Sequence, residues 1–196
     1  DTDWATMSGL ELEDNDGRRT GFHPPKLTDA LIWAKQTGAV LELDKKPTTS
    51  FRNIAAAVKA ADAAENVIFI SYNDDQAAEI AAIDPDLMMT ASAFGDRDVA
   101  KLEARGVDRT RLIGWTGVDE PKPYAWERLA KVGVEPAFGT LGRAGERLDD
   151  VYLADGDGSE YDDLAADGLV LLATDEPYRV ADLIRADDVG REACGR

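Results

Sequence analysis

Apolar residues recur along this chain with two alternating periods. Leu27, Leu31 and Ala34 fall at helical spacing in "LTDALIWAKQTG", and Gly38 follows as a stop signal. The next stretch, "AVLELD", is the short apolar run of a strand. The same grammar repeats: "FRNIAAAVKAADAAE" predicts a helix and "NVIFISYN" a strand, "DDQAAEIAAID" precedes "LMMTASAF", and "DRDVAKLEARG" precedes "RLIGWTG". Then "YAWERLAKVG" leads to "VEPAFGTLG" and "SEYDDLAADG" to "LVLLATDEP", before a closing helix "YRVADLIRA". Six strands therefore alternate with helices.

Short, near-continuously apolar strands separated by single helices belong in a parallel sheet covered by helices. A doubly wound sheet calls for a glycine-rich phosphate turn after its first strand, and "LELDKKPTTSF" has none. A (β/α)8 TIM barrel keeps its chemistry at the C-terminal ends of its strands. The polar residues gather there: Asp44 and Lys46, Ser71 and Asn73, Ser92, Trp115 and Thr116, Thr140, Thr174 and Asp175. The expected fold is α/β, of the (β/α)8 TIM-barrel type with only six βα units, in a single domain over residues 1–196. Residues 1–26 form its lead-in region, 27–185 the βα units and 186–196 a polar tail. Such barrels run to about 250 residues, so the pattern is two units short.

Composition narrows the partners. With 196 residues, 44% of them hydrophobic, the chain can bury one ordinary core. A net charge of −17 argues against nucleic acid and anionic membrane surfaces, because the global field repels phosphates. An anionic substrate needs a local positive site or a bound cation. The single cysteine, Cys194, offers neither a disulfide framework nor a thiolate metal site. No stretch approaches the ~20 apolar residues of a membrane helix, so no membrane insertion is expected. Two Asp-rich patches, "EDNDGRRTG" and "DDVYLADGDGSEYDD", read as solvated loops, the first a candidate hairpin. A calcium loop starting at Asp155 fails, since its sixth position is Glu160 instead of glycine and its twelfth is Ala166 instead of Glu.

The charged end of the first strand carries the candidate chemistry. Side chains alternate across a strand, so Glu42, Asp44 and Lys46 share one face and Leu41 and Leu43 the other. Two readings stay open: a self-neutralising Asp–Lys ion pair, or Asp44 as a ligand of a hard divalent cation with Lys46 on an anion such as phosphate.

At this point "KLTDALIWAKQTGAVLELDKK", "VIFISYND" and "ADGLVLLATDEPYRVADLI" together resemble the corresponding segments of glycerophosphodiester phosphodiesterases. The resemblance runs over about residues 10 to 185 and rests on the order of the pieces. It implies metal-dependent hydrolysis of a small-molecule glycerophosphodiester to an alcohol and glycerol 3-phosphate with Ca2+ or Mg2+. It makes Asp44 the metal ligand and Lys46, Ser71, Asn73, Trp115 and Phe138 the substrate- or phosphate-binding residues, with Trp115 an apolar wall for the glycerol carbons. Phe138 and Thr140 in "AFGTLG" stand where the family carries Trp-Thr-Val-Asn, and only the threonine is kept. Asp175 reads as a cap of the final loop.

The family's first two strands, with its His-Arg-Gly opening and both catalytic histidines, have no counterpart here. The one histidine, His23, stands in "GFHPPKL", where the family places no catalytic group. No catalytic residue is therefore assigned within this chain. The sequence, which starts at Asp1, is expected to be complemented by an N-terminal segment or by self-association through exposed strand edges. The alternative is a catalytically inactive barrel fragment that binds a phosphorylated small molecule or a protein partner.

Overall fold

The computed structural model describes residues 2–14 and 16–184. The polar tail with Cys194 lies outside the described residues. Contacts divide the chain, expected as one domain, into two compact units, Asp1–Ile68 and Phe69–Arg196.

In the first unit, Asp3 caps α1 (Trp4–Ser8) by accepting from the Thr6 N–H at 2.8 Å. This helix was not legible as a periodic run. The candidate hairpin is present as an antiparallel bridge between Glu13 and Arg19. The predicted helix α2 (Leu27–Thr37) buries Leu31 and Ala34 and ends on Gly38, whose φ of 76° is the left-handed conformation of a C-terminal cap. It feeds β1 (Leu41–Leu43). Helix α3 (Phe51–Ala60) starts on Ser50, whose Oγ accepts from the Asn53 N–H at 3.1 Å, and buries Phe51, Ile54, Ala55 and Val58. The Asn66 amide donates to the Ala39 carbonyl at 3.0 Å, tying the approach to β2 (Val67–Ile70) to the end of α2. In the sheet order β1 lies next to β2.

The second unit repeats the unit the hydrophobic pattern predicts: α4 (Asp74–Ile83), β3 (Met89–Ser92), α5 (Asp96–Glu103), β4 (Leu112–Trp115), α6 (Pro123–Lys131) and β5 (Glu135–Gly139). After them come two short helices, α7 (Leu148–Tyr152) and α8 (Ser159–Ala166), then β6 (Leu171–Ala173) and α9 (Pro177–Leu183). From β2 to β6 the pairings are parallel and follow chain order: Phe69 with Met89, Thr90 with Ile113, Ser92 with Trp115, Trp115 with Ala137, Phe138 with Leu172. A sheet wound in one direction, without a reversal of strand order, is the barrel arrangement and not the doubly wound one.

Register and packing identify the two faces. A Cβ on Gly114 would meet Leu129 of α6 at 2.7 Å, and the Trp126 indole of α6 bonds to Thr116, so Gly114, Thr116 and Phe138 face the helices. The alternate residues Ile113, Trp115 and Gly139 face the other way, and by register so do Thr90 and Ser92. Trp126, Phe138, Leu153, Tyr161, Leu164 and Val180 form the core on the helix side. Among the described residues no helix is long and apolar enough to cross a membrane.

Candidate functional site

In the first unit the charged end of β1 is built as the alternation requires. Leu43 is buried, while Asp44 and Lys46 project beside each other, with Lys46 Nζ 2.6 Å from Asp44 Oδ2. The Lys46 side chain is 75% exposed and that of Asp44 30%, so as a pair of charges this contact is worth at most about 1 kcal/mol of stability. Desolvation raises the Glu42 carboxyl above its ordinary value. Lys45 is spent differently, with its ammonium 5.3 Å from the centre of the Phe51 ring. His23 lies exposed with Nδ1 2.6 Å from the Leu10 carbonyl oxygen.

A hard cation takes six or more oxygen ligands, several of them carboxylates. Among the described residues no group of three or more His, Cys, Asp or Glu side chains is placed to hold a metal ion. Asp44 is one carboxylate already paired with an ammonium, so these residues do not by themselves make a site for Ca2+ or Mg2+.

The remaining expected site residues belong to the second unit, and two of them are corrected by the direction in which their side chains point. Ser71 is buried, and its Oγ donates to the Thr90 carbonyl at 2.6 Å, completing the hydrogen bonding of the β2 and β3 ends. Phe138 is 0% exposed on the helix side, its ring 5.9 Å from that of Trp126 at an interplanar angle of 56°. It is a core residue, because the residue one step along the strand, Gly139, takes the opposite face. Asn73 is exposed and caps α4, its Oδ1 accepting from the Gln76 N–H at 3.0 Å. Trp115 is half-buried at the end of β4, with its ring lying over Gly139, where a Cβ would come within 3.0 Å of Cη2. Asp175 does hold the final loop, its Oδ2 accepting from the Gly142 N–H at 3.1 Å and from Arg147.

A polar network escaped the sequence pattern. Asp149, 0% exposed, accepts from the Tyr161 hydroxyl at 2.8 Å, the Thr174 hydroxyl at 2.8 Å and the Asp175 N–H at 2.9 Å, while its own N–H donates to the Thr140 carbonyl at 3.0 Å. Two residues earlier, Arg147 is clamped by Asp150, Asp175 and Glu176 at 3.2, 3.1 and 2.8 Å with only 12% of its side chain exposed. These contacts, that to Asp175 foremost, raise the affinity of its guanidinium for the proton. Together the two residues join the loops after β5 and β6, which a barrel uses to carry its chemistry. The only sequence signal was the placement of Asp149 nine residues after Thr140 at the end of β5, inside a stretch whose acidity reads as solvation. Its downstream part is indeed a set of local turns, Asp155 Oδ1 accepting from the Asp157 N–H at 3.1 Å and Asp157 Oδ1 from the Ser159 N–H at 3.0 Å.

Burial, followed by the bond to Asp149, raises the pKa of Tyr161 above its ordinary value of 10.0. The folded chain thus holds this proton more tightly than the unfolded chain, and the associated stability is complete below pH 10 and falls as pH rises beyond it. Urea unfolding between pH 8 and about 11 is expected to show a decline that Tyr161→Phe makes shallower. An unchanged slope in the variant counts against this assignment.

The geometry defines a parallel α/β protein of the barrel type whose strand ends carry an acid–base pair and a tryptophan. No protein-family model matches the chain, and neither does any curated protein. Among solved structures, a glycerophosphoryl diester phosphodiesterase from Parabacteroides distasonis superposes with a TM-score of 0.74 over 94% of this chain, at 21% sequence identity. A glycerophosphodiester phosphodiesterase from Agrobacterium tumefaciens gives a TM-score of 0.62 over 91% of this chain and 70% of its own length, at 16% identity. A further P. distasonis glycerophosphodiester phosphodiesterase gives 0.54 over 95% of this chain and 72% of its own length, at 15% identity. These likenesses show the fold, an incomplete barrel of the kind those enzymes have. The chain spans 63% of the length of the first of them.

Proposed function

We propose that this chain carries part of the site of a metal-dependent hydrolase that cleaves glycerophosphodiesters to an alcohol and glycerol 3-phosphate. In this reading Asp44 is one ligand of a divalent cation, Ca2+ or Mg2+. The remaining ligands and the catalytic histidines come from a complementing segment, since the chain's own His23 is engaged with a backbone carbonyl. Lys46 contacts the phosphoryl group. The single observation that carries the reading is the fold likeness, over 91–95% of the chain, to enzymes that are themselves glycerophosphodiester phosphodiesterases. The carboxylate and ammonium 2.6 Å apart at the end of β1 agree with it in chemistry. Strands β1 and β6 end the sheet order, and the proposal includes pairing at such an edge with the complementing segment or a second copy.

The test is release of glycerol 3-phosphate from glycerophosphocholine, with Ca2+ or Mg2+, by the chain assembled with the complementing segment, the chain alone being expected to hydrolyse nothing for want of the histidines. Hydrolysis is expected to need the cation and to fall at least ~100-fold in Asp44→Asn and Lys46→Ala, the scale of losing one charge-stabilising group. Hydrolysis that Asp44→Asn leaves unchanged overturns the role of Asp44. The second reading, an inactive barrel fragment that binds a phosphorylated small molecule or a protein partner, is favoured by the incomplete ligand set among the described residues. Absence of hydrolysis together with retained ligand binding selects it.

A further inference from the structure

The loop after β4, "TGVDEPKP", folds Lys122 back onto the strand end. Its Nζ donates to the Thr116 carbonyl at 3.2 Å and to the Glu120 carbonyl at 3.2 Å. Beneath it lies Gly117, with φ +109°, where a Cβ would come 3.7 Å from that nitrogen. The lysine is half-buried, and among the described residues no carboxylate pairs with it. This chain has 39 acidic residues against 22 Lys and Arg, yet this ammonium is held by neutral carbonyls. Two carbonyls satisfy two of the three N–H donors without neutralising the charge, and the third remains for an acceptor.

The surroundings supply the rest of a small binding surface. Thr116, which anchors the ammonium through its carbonyl, directly follows Trp115 at the C-terminal end of β4. The Trp115 ring and Val118 of the same loop both crowd Gly139, where an added Cβ would come 3.0 Å from Trp115 Cη2 and 2.9 Å from Val118 Cγ1. Ser92 is exposed and is the register partner of Trp115 on the neighbouring strand, on the same face of the sheet. One strand end thus brings together an unneutralised cation, a hydroxyl and an aromatic wall. That combination matches a short polyol bearing a phosphate.

We propose that Lys122 is an anion-contacting, specificity-determining residue, its ammonium taking a phosphoryl oxygen of a small phosphate monoester that rests against Trp115. This deepens the reading above by naming a second cation and a ligand class, yet binding requires no hydrolysis.

Isothermal titration of the whole chain with glycerol 3-phosphate, with glycerol as the uncharged control, tests it. The wild type is expected to bind the phosphate and not glycerol. Lys122→Met should weaken binding about 10- to 100-fold, the worth of one hydrogen bond to a charged group, while Lys122→Arg keeps affinity within a few-fold. No binding by the wild type, equal affinity in Lys122→Met, or equal loss in Lys122→Arg overturns the proposal. Should Lys122→Met fail to fold, the Trp115 indole resonance of the wild type decides: a shift on adding glycerol 3-phosphate supports the assignment, and none overturns it. Binding of glycerol 3-phosphate without hydrolysis of glycerophosphocholine even when the complementing segment is present sinks the phosphodiesterase reading and leaves this inference standing. Hydrolysis with unchanged affinity in Lys122→Met does the reverse.

Discussion

Replacing Asp149 by alanine is expected to lower the free energy of unfolding by about 3 to 5 kcal/mol, as one of the two most damaging single changes considered for the second unit. The carboxylate is wholly buried and accepts from three donors: the Tyr161 and Thr174 hydroxyls and the Asp175 N–H. Alanine leaves these donors without their acceptor, at roughly 1–3 kcal/mol for each one that water cannot reach. Thr174 is only half-buried and Asp175 is exposed, so water takes part of their loss, and Tyr161 bears the full one. Asp149→Asn keeps the shape and one oxygen but turns an amide N–H2 toward a donor, so about half the loss is expected. Urea unfolding followed by circular dichroism measures both. Asp149→Ala within about 1 kcal/mol of wild type shows that the network is ornamental, since surface substitutions fall in that range. Because the same network joins the loops after β5 and β6, Asp149→Ala should also raise amide exchange in Gly142, whose N–H is held by Asp175.

The failure to read Asp149 in advance has a physical cause. Alternating periods expose which residues form strands and helices, and all six predicted strands are present. Period two also says that Glu42, Asp44 and Lys46 lie on one side of β1. It does not say which side of a buried strand meets the helices, because both are apolar in a parallel sheet. The resemblance gives Ser71, Phe138 and Trp115 one role, yet Ser71 and Phe138 are buried while Trp115, one position before the helix-facing Thr116, lies on the face opposite to Phe138. Composition misled in a different way. Arg147, Asp149, Asp150, Asp175 and Glu176 are charged residues in acidic stretches, which ordinarily mark solvated loops. Here their charges and hydrogen bonds are matched to one another, a pairing of distant segments that no local window contains. Turn and cap chemistry, by contrast, is local. Gly38 was therefore correctly legible as the end of α2.

Trp126→Ala is expected to cost about 3–5 kcal/mol, the usual range for truncating a buried Trp to Ala. Trp126 is 0% exposed, packs on Phe138 and donates its indole N–H to Thr116 Oγ1 at 3.0 Å, which in turn donates to the Ala137 carbonyl at 2.8 Å. The indole thus ends a relay that begins at the backbone of β5 and crosses β4 to α6. Trp126→Phe separates the two contributions, since it retains most of the packing and removes only the N–H, so a loss of about 1–2 kcal/mol is expected. Thr116→Val removes the acceptor instead, leaving the buried indole N–H unpaired, and should cost at least as much as Trp126→Phe. The double variant Trp126→Phe with Thr116→Val should then cost less than the sum, because each single change already orphans the other's partner. Tyr161 and Trp126 belong to one core cluster, so Asp149→Ala and Trp126→Ala should likewise combine to less than their sum. Strict additivity of that pair means that the loop network and the α6 packing act independently, and the strand ends of the second unit are then held by two separate devices instead of one.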